Sequence, residues 1–363
     1  VDIPNKTIWD IFEDQARVNG NRTAYICGLS HDRISYRELY EDAKRVAVAL
    51  ASDGIGKGDV VVLHSFNCME YPLVILALAS LGAVCSPASP MFLPNELALQ
   101  IREAKVALLA IKWLSSTEWD ANMYVASWQA SHIVTHKELE QTALDAAKLA
   151  GISREAIYTV GEPTRSNEDV TSINDLARRD FDSFTFEKVD PMLNSLLPFS
   201  SGTTGVPKGV ALSGRNMVSN ALQVDHVEKF GEHSLGLLPF FHIYGMMLLN
   251  LGLCQGTTKV ILPRFEPETF LGALEKYKIR IAHIAPPLAL FLAHHPMVDN
   301  YDLSATEFLV SGGAPMGKEV EGLVNERLGL TIKQAYGMTE ASPAVNFSED
   351  SNRKPLALID GEV

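Results

Sequence analysis

Residues 196–210 read LLPFSSGTTGVPKGV. A short apolar segment leads into small hydroxyl and glycine residues, and the loop ends at Lys208. Hydroxyl groups can donate to phosphate oxygens, and glycines let backbone amides come close to an anion. The lysine would add a mobile positive charge for terminal phosphates. The pattern therefore predicts a phosphate-binding loop, formed by Ser200, Ser201, Gly202, Thr203, Thr204, Gly205 and Lys208.

Two other interpretations of this loop are weaker. The common nucleotide loop GxxxxGK[ST] does not fit, because Pro207 occupies its second glycine position and Gly209 stands where Ser or Thr is required. A flexible linker rich in Ser, Thr and Gly would explain the composition but not the ordered Pro-Lys-Gly ending. We therefore favour a phosphate-binding loop of another kind.

Strands and helices alternate on both sides of this loop, which predicts parallel sheets. The predicted strands are 60–63, 83–86, 235–238, 259–262, 281–284, 307–310 and 332–335. The predicted helices are 35–52, 67–81, 244–253, 267–277, 287–293 and 317–328. We expect two doubly wound α/β sheets packed together, with helices between and outside them and ligands at the carboxyl ends of the strands.

We divide the chain into a first α/β subdomain, residues 1–190, and a second, residues 191–363, that carries the motifs. Residues 106–131, which include Trp113, Trp119 and Trp128, form an extra segment in the first subdomain. We interpret this segment as a surface insertion in preference to a partner-binding site.

Composition excludes several classes of function. The net charge of −13, from 31 basic and 44 acidic residues, argues against a nucleic-acid partner. The four cysteines show no CxxC spacing, which is typical of reduced thiols in a cytosolic-type protein. The longest apolar run, at 71–84, is shorter than the roughly 20 residues of a membrane span, and nothing at the N-terminus resembles a signal peptide.

Three further segments follow the loop: LPFFHIYG at 238–245, SGGAP at 311–315 and QAYGMTE at 334–340. Together with residues 200–209, they resemble, in order, the signatures of the adenylate-forming superfamily. That superfamily includes acyl-CoA synthetases, 4-coumarate–CoA ligases, beetle luciferases and peptide-synthetase adenylation domains. The resemblance covers nearly the whole chain and is closest to the 4-coumarate–CoA ligase group.

The resemblance implies a fold and a reaction. The fold is the large N-terminal domain of these enzymes, here with an incomplete β-barrel subdomain. A carboxylate attacks the α-phosphate of ATP to give acyl-AMP and pyrophosphate, and the thiol of coenzyme A then displaces AMP. ATP, Mg²⁺, coenzyme A and a hydrophobic aryl or fatty carboxylic acid are the implied ligands, in a cytoplasmic or peroxisomal enzyme.

The resemblance also assigns roles to individual residues. Catalytic roles fall to His242, Thr339, Glu340 (the magnesium ligand) and Lys208. Adenine and phosphate contacts fall to Gly312, Gly313, Ala314, Pro315, Gln334, Ala335, Tyr336, Gly337 and Thr339. The acyl pocket is formed by His242, Tyr244, Met247, His283, Pro286, Gly312, Gly313, Ala335, Gly337 and Val345.

Structural roles are the alternative for four of these residues. His242 and Tyr336 would then be core residues, Glu340 a solvated surface residue and Thr339 a helix N-cap.

The end of the sequence departs from the family pattern. Val363 precedes both an expected aspartate for the ribose hydroxyls and the swinging C-terminal domain, which carries a lysine for the acyl carboxylate and α-phosphate. We therefore expect this chain alone to bind ATP or acyl-AMP weakly and to turn over poorly. Two alternatives stay open: a truncated, non-catalytic nucleotide- or acyl-binding protein, and a luciferase-like monooxygenase on the same fold.

Overall fold

The computed structural model describes residues 1–115, 130–161, 170–180, 184–200, 207–347 and 356–357. The α-helices in these ranges are α1 (Ile8–Asn19), α2 (Tyr36–Ser52), α3 (Glu70–Leu81), α4 (Pro94–Ser115), α5 (Glu140–Ala150), α6 (Ile173–Ala177), α7 (Gly214–Val227), α8 (Ile243–Gln255), α9 (Pro267–Lys276), α10 (Pro286–His294) and α11 (Lys318–Leu328). Short 3-10 helices span Lys137–Leu139, Arg154–Ala156, Pro296–Asn300 and Thr339–Ala341.

The strands, in chain order, are β1 (Thr23–Cys27), β2 (Arg33–Ser35), β3 (Val60–His64), β4 (Val84–Ala88), β5 (His132–His136), β6 (Ile157–Val160), β7 (Thr171–Ser172), β8 (Asn194–Leu196), β9 (Phe199–Ser200), β10 (Lys208–Gly209), β11 (Leu212–Ser213), β12 (His233–Gly236), β13 (Thr258–Ile261), β14 (Ile281–Ile284), β15 (Phe308–Ser311), β16 (Thr331–Gly337), β17 (Ala344–Phe347) and β18 (Leu356–Ala357). All the predicted strands and helices are present, so the α/β fold is confirmed. Strand β12 begins two residues earlier than predicted, because its pairing with β13 starts at His233.

The chain forms two compact units. Residues 5–10 and 39–215 make the early unit, and residues 1–4, 11–38 and 216–363 make the late unit. The early unit contains a seven-stranded sheet in the order β11-β8-β4-β3-β5-β6-β7. Strands β3 and β4 pair in parallel, as their short helical connection through α3 predicts. All five residues of β3 are buried, which suits a strand covered on both faces.

The late unit divides its strands between two sheets. Strands β12 and β13 join the N-terminal β1 and β2 in the order β12-β13-β1-β2. Strands β14, β15 and β16 pair in parallel, and β17 and β18 extend that second sheet antiparallel. The sequence predicted two doubly wound sheets for the whole chain, without the strands β1 and β2. Tyr25 of β1 pairs with Lys259 of β13, and local periodicity does not specify such a distant partner. No sheet in the described ranges closes into a barrel.

Two local features follow the sequence closely. At the start of α2, the Ser35 amide donates to Glu38 Oε2 at 2.8 Å, and the Glu38 amide donates to Ser35 Oγ at 3.2 Å. This reciprocal pair is the capping box that the spacing predicts. Helix α8 is apolar on all sides and buried from Ile243 to Leu253 except at Tyr244, as expected for a core helix.

The extra segment predicted at 106–131 is described in part. Helix α4 continues through residue 115, while residues 116–129 lie outside the described ranges, as do Trp119 and Trp128. Within the described residues, no helix combines the length and the apolar character that crossing a membrane requires.

Candidate active site

The predicted phosphate loop is the connection of a small hairpin in the early unit. Strands β9 and β10 pair antiparallel, with Lys208 opposite Ser200 and Gly209 opposite Phe199. The Val210 amide extends the pairing by donating to the Pro198 carbonyl at 2.8 Å. Lys208 is exposed. The intervening predicted residues, Ser201, Gly202, Thr203, Thr204 and Gly205, lie outside the described ranges.

In the late unit, LPFFHIYG makes a tight turn into helix α8. His242 is the N-cap, and its Nδ1 accepts from the Tyr244 amide at 3.3 Å. The His242 amide in turn donates to the Pro239 carbonyl at 3.1 Å. This carbonyl lies so close to Gly245 that a Cβ there would be 2.2 Å from its oxygen. The motif therefore needs glycine at 245 for space.

The SGGAP segment follows strand β15 and contacts the Tyr244 ring. A Cβ at Gly312 would lie 2.9 Å from Cε1 of Tyr244 and 3.3 Å from the Ala335 carbonyl oxygen. Gly313 has φ +86°, a left-handed conformation that glycine adopts without strain. Ala314 and Pro315, like Gly313, are exposed. Gly312 is thus packed against Tyr244 and Ala335, two other predicted site residues.

The QAYGMTE segment ends strand β16 and turns into a 3-10 helix. Gln334 Nε2 donates to Glu321 Oε1 at 2.5 Å, so the Gln334 side chain is hydrogen-bonded to helix α11. Tyr336 is 60% exposed, and Glu340 is exposed on the following turn. A Cβ at Gly337 would lie 2.6 Å from the Pro343 carbonyl oxygen. The structure thus excludes the core position that was the alternative for Tyr336.

These three segments meet at a cavity of about 140 Å³, the α8–β16 cleft. The sequence predicted nine of its lining residues: His242, Tyr244, Met247, Gly312, Gly313, Ala335, Tyr336, Gly337 and Thr339. It missed four others: Ile243, Met338, Pro343 and Ala344. Ile243 and Met338 lie inside the quoted motifs, which is the signal that could have found them. Pro343 and Ala344 become neighbours of the cleft only through the pairing of β17 with β16.

Other predicted site residues lie outside this lining. They are Ala314, Pro315, Gln334, Glu340, His283, Pro286 and Val345. His283 is the most informative, because it is buried and reaches the cleft only through the Tyr244 hydroxyl, 2.7 Å from its Nδ1. Pro286 begins helix α10, and Val345 belongs to strand β17.

Asn220 of helix α7 holds one wall of the cleft. Its Oδ1 accepts from the Ala344 amide at 3.1 Å, and its Nδ2 donates to the Ala344 carbonyl at 2.9 Å. Asn220 is 3% exposed, so both bonds are shielded from water. A buried side-chain amide that satisfies both backbone groups of one residue fixes the local path of the chain.

The electrostatics of the cleft favour an anion near helix α8. The N-terminus of a helix carries partial positive charge and unpaired amides, and His242, Ile243 and Tyr244 all line the cleft there. Partial desolvation lowers the pKa of His242 below its usual value, which favours the neutral ring at pH 7. Burial, with the nearby Glu228 charge, raises the pKa of Tyr244 well above its usual value.

Glu340 was the predicted magnesium ligand. A single exposed carboxylate fits Mg²⁺, which keeps several waters and takes one or two carboxylates beside substrate phosphates. No cluster of three or more His, Cys, Asp or Glu side chains suited to a metal occurs in the part of the chain that the structure describes. The described residues therefore do not form a metal site in which His, Cys, Asp and Glu side chains supply all the ligands.

Comparison with known proteins identifies the family. The model of the "AMP-binding enzyme" family matches residues 12–359. The chain is 33% identical over 353 residues to "Probable 4-coumarate--CoA ligase 1" of Dictyostelium discoideum, covering 94% of this chain and 61% of that protein. It therefore spans about three fifths of the length of this relative.

Solved structures agree on the fold. A long-chain-fatty-acid-CoA ligase from Archaeoglobus fulgidus superposes with a TM-score of 0.81 at 24% identity, covering 96% of this chain and 67% of that one. The luciferase-like enzyme of the nonluminescent mealworm Zophobas morio gives a TM-score of 0.77 at 22% identity, covering 94% and 74%. The family model matches nearly the whole chain, and the motifs and the cleft agree with it. The chain therefore belongs to the AMP-binding, adenylate-forming enzyme family.

Proposed function

We propose that this chain is the nucleotide- and acyl-binding part of an acid–thiol ligase. The enzyme would activate a hydrophobic aryl or fatty carboxylic acid with ATP as acyl-AMP and then transfer the acyl group to coenzyme A. The observation that carries the proposal is the meeting of helix α8, the Gly312 turn and the end of strand β16 around one cleft. The 4-coumarate–CoA ligase named above supports the class of reaction.

The acid carboxylate would bind near the N-terminus of helix α8. His242 Nδ1 is occupied by the Tyr244 amide, which leaves Nε2–H as the donor of the neutral ring. Together with the helix dipole, this donor favours a carboxylate without adding a fixed charge. Thr339, which also lines the cleft, would place its hydroxyl on the α-phosphate, and the exposed Tyr336 ring would pack on adenine.

The phosphate groups would be held by the β9–β10 hairpin. Ser200 and Lys208 stand opposite each other at the two ends of its loop, and loop amides and hydroxyls between them would add donors. When bound, Mg²⁺ would offset charge on the transferring phosphates, with Glu340 as one ligand. Each group would reduce the repulsion of the anion that it contacts, which attack of a carboxylate on the α-phosphate requires.

An apolar acyl group suits the cleft lining. Its side chains include Ile243, Met247, Pro343 and Ala344, and no Asp or Glu is among the lining residues that the structure describes. A binding site for an amino-acid substrate would need a carboxylate for the ammonium group. Mainly apolar walls with few polar anchors are typical of pockets for hydrophobic ligands.

Calorimetry with acylsulfamoyl-adenosine mimics of acyl-AMP tests the proposal. Cinnamoyl, octanoyl and glycyl forms of the mimic would be compared on this chain, each with and without ATP as competitor. We expect the two hydrophobic forms to bind at least ten-fold more tightly than the glycyl form, because even one missing methylene in a hydrophobic pocket is worth about 1–3 kcal/mol. Absence of binding by every mimic, or equal binding of all three, would contradict the proposal.

Turnover is a separate question. Acid-dependent ATP–pyrophosphate exchange measures the first half-reaction, the formation of acyl-AMP, directly. Binding of the mimics without exchange by any longer form would favour a non-catalytic binding protein. An oxygen-dependent product would favour the luciferase-like alternative. Four free cysteines suit the proposed cytoplasmic or peroxisomal placement.

A further inference from the structure

A buried chain of hydrogen bonds leads away from the α8–β16 cleft. The Tyr244 hydroxyl lies 2.7 Å from His283 Nδ1, and His283 Nε2 lies 2.5 Å from Glu228 Oε1. His283 and Glu228 are 3% and 5% exposed. Only Tyr244 of the three lines the cleft. The chain therefore connects a wall of the cleft to a carboxylate inside the late unit.

The chemistry of the three groups sets the direction of these bonds. With Glu228 ionised and His283 neutral, the proton between them belongs to Nε2, because an ionised carboxylate can only accept. In the neutral imidazole this leaves Nδ1 as an acceptor, and the Tyr244 hydroxyl must donate to it. The phenol is then fixed in one orientation. The carboxylate strengthens its own bond to His283, and a chain of hydrogen bonds polarises its neighbouring members.

Helix α8 supports both ends of this chain. It carries Tyr244 in its first turn and Gln255 as its last residue. The Gln255 side chain donates to the Glu228 carbonyl at 2.7 Å and accepts from the Phe230 amide at 3.0 Å. The Phe230 ring meets the His283 ring edge-on, with centroids 5.7 Å apart. Glu228 is thus held by the same helix that presents Tyr244.

Tyr244 also has no spare room on its other side. Its Cε1 atom would be 2.9 Å from a Cβ at Gly312, so the ring packs directly on the backbone there. With the ring held between Gly312 and the hydrogen bond to His283, its position determines the width of the cleft. We propose that Glu228 and His283 are positioning residues that lock the Tyr244 ring and thereby set which acyl groups the cleft accepts.

A stabilising role alone is a poor explanation for Glu228. Removing a carboxylate from water costs more than most single contacts return, and well-packed apolar residues often replace buried ionic groups without loss of stability. The inference rests on the proposed function, because it assigns the cleft to an acyl group. The motion of the Tyr244 ring, on which the inference depends, can be measured without any ligand.

The test compares Glu228→Gln with Glu228→Leu in the whole chain. Gln keeps an acceptor for His283 Nε2, while Leu removes it at similar volume. We expect E228L to bind the cinnamoyl form of the acyl-AMP mimic about ten-fold more weakly, as for one lost charged hydrogen bond, and E228Q to stay within about two-fold. ATP affinity should be unchanged in both variants.

A double variant separates positioning from general destabilisation. In Tyr244→Phe the hydroxyl is absent, so E228L should cost little further affinity in that background. Equal losses of affinity from E228L in both backgrounds would overturn the proposal, as would equal binding by wild type and E228L. If E228L fails to fold, Y244F alone carries the affinity test, and an unchanged affinity for the mimic counts against the proposal.

Ring motion gives a readout independent of binding. In protein with carbon-13-labelled tyrosine rings, Y244F identifies the Tyr244 signals in aromatic NMR spectra. We expect separate signals for the two sides of this ring in wild type and E228Q, and one averaged signal in E228L. Averaged signals in wild type would contradict the proposed immobilisation of the Tyr244 ring. If wild type binds no mimic while its ring signals are separate, the proposed function is contradicted, but the immobilisation of the Tyr244 ring is supported.

Discussion

The α8–β16 cleft and the β9–β10 hairpin are built in different ways. In the cleft, two predicted glycines are held in close contact with their neighbours: Gly312 packs on the Tyr244 ring, and Gly337 packs on Pro343. At the hairpin, two short strands pair through Ser200 and Lys208, and the lysine side chain is exposed. The first region is defined by shape, and the second by backbone pairing and charge.

The difference reflects what each ligand group requires. An acyl chain offers few polar groups, so only the fit of its surface can discriminate it, and fit requires closely packed walls. A triphosphate offers charge and many acceptor oxygens, which amides, hydroxyls and a mobile lysine can satisfy without tight packing. Substitutions in the two regions should therefore act on different ligands.

Replacing Lys208 with alanine should have the largest effect, and it should fall on ATP. Losing one hydrogen-bonded charge costs about 1.5–3 kcal/mol, or roughly a 10- to 100-fold weaker affinity for ATP. The acyl-AMP mimic, which lacks the terminal phosphates, should be affected much less. Calorimetry with both ligands measures the contrast. Lys188→Ala, an exposed lysine of the same unit, is the control and should change neither affinity.

Replacing Gly312 with alanine should produce the opposite pattern. The added Cβ would force the Tyr244 ring to move, and overpacking of this kind costs about 1–3 kcal/mol. We expect affinity for the cinnamoyl mimic to fall about ten-fold, and affinity for ATP, which would meet Gly312 only through the adenine contact, to fall less. Equal losses for both ligands would remove the distinction between a region of shape and a region of charge.

Gly322→Ala is the matched control for this variant. Gly322 lies within helix α11, and nothing stands within 4 Å of an added Cβ. Alanine in a helix interior should raise the free energy of unfolding by about 0.5–1 kcal/mol. Urea unfolding and calorimetry together should show higher stability with unchanged ligand binding.

Lys259 extends the comparison to a lysine that is buried in the late unit. Its Nζ donates to Ser234 Oγ at 3.0 Å and lies 5.1 Å from the Phe230 ring centroid. Burial lowers the pKa of Lys259 to about 7. Between pH 7 and the unfolded value near 10.4, the unfolded chain binds more protons, so unfolding free energy should rise with pH.

The variant Lys259→Met removes this titration. We expect it to be more stable than wild type at pH 7, with the advantage shrinking by up to ~1.4 kcal/mol per pH unit toward pH 9. Urea unfolding of both proteins at pH 7, 8 and 9 gives the difference. Parallel stability profiles would mean that the lysine titrates normally and is hydrated.

The smallest effect should come from the histidine caps, which also separate stability from binding. His295 caps its 3-10 helix as His242 caps α8, with Nδ1 accepting from the Met297 amide at 3.3 Å. Loss of either cap should lower the free energy of unfolding by about 0.5–1 kcal/mol. Only His242→Ala should also weaken the acyl-AMP mimic, and an equal loss of affinity in His295→Ala would show that the effect is structural.

The sequence predicted the elements and most of the cleft because both depend on neighbours along the chain. Apolar periodicity placed β3, α8 and β14, and the Ser35–Glu38 spacing placed a cap. The motif segments carried Tyr244, Gly312 and Tyr336 to the cleft because motif residues sit at the ends of strands or starts of helices. The roles of these residues in binding stay predictions.

Only the tertiary structure decided the rest, because it depends on residues far apart in the chain. Three contacts join partners that no local sequence pattern pairs. Strand β1 pairs with β13, the Asn220 side chain binds the Ala344 backbone, and Glu228 is buried against His283. Periodicity reports which face of an element is buried, but it does not report what covers that face. The sequence predicted His283 in the pocket wall. In the structure His283 lies behind Tyr244, where its side chain contacts the Tyr244 hydroxyl and the Glu228 carboxylate.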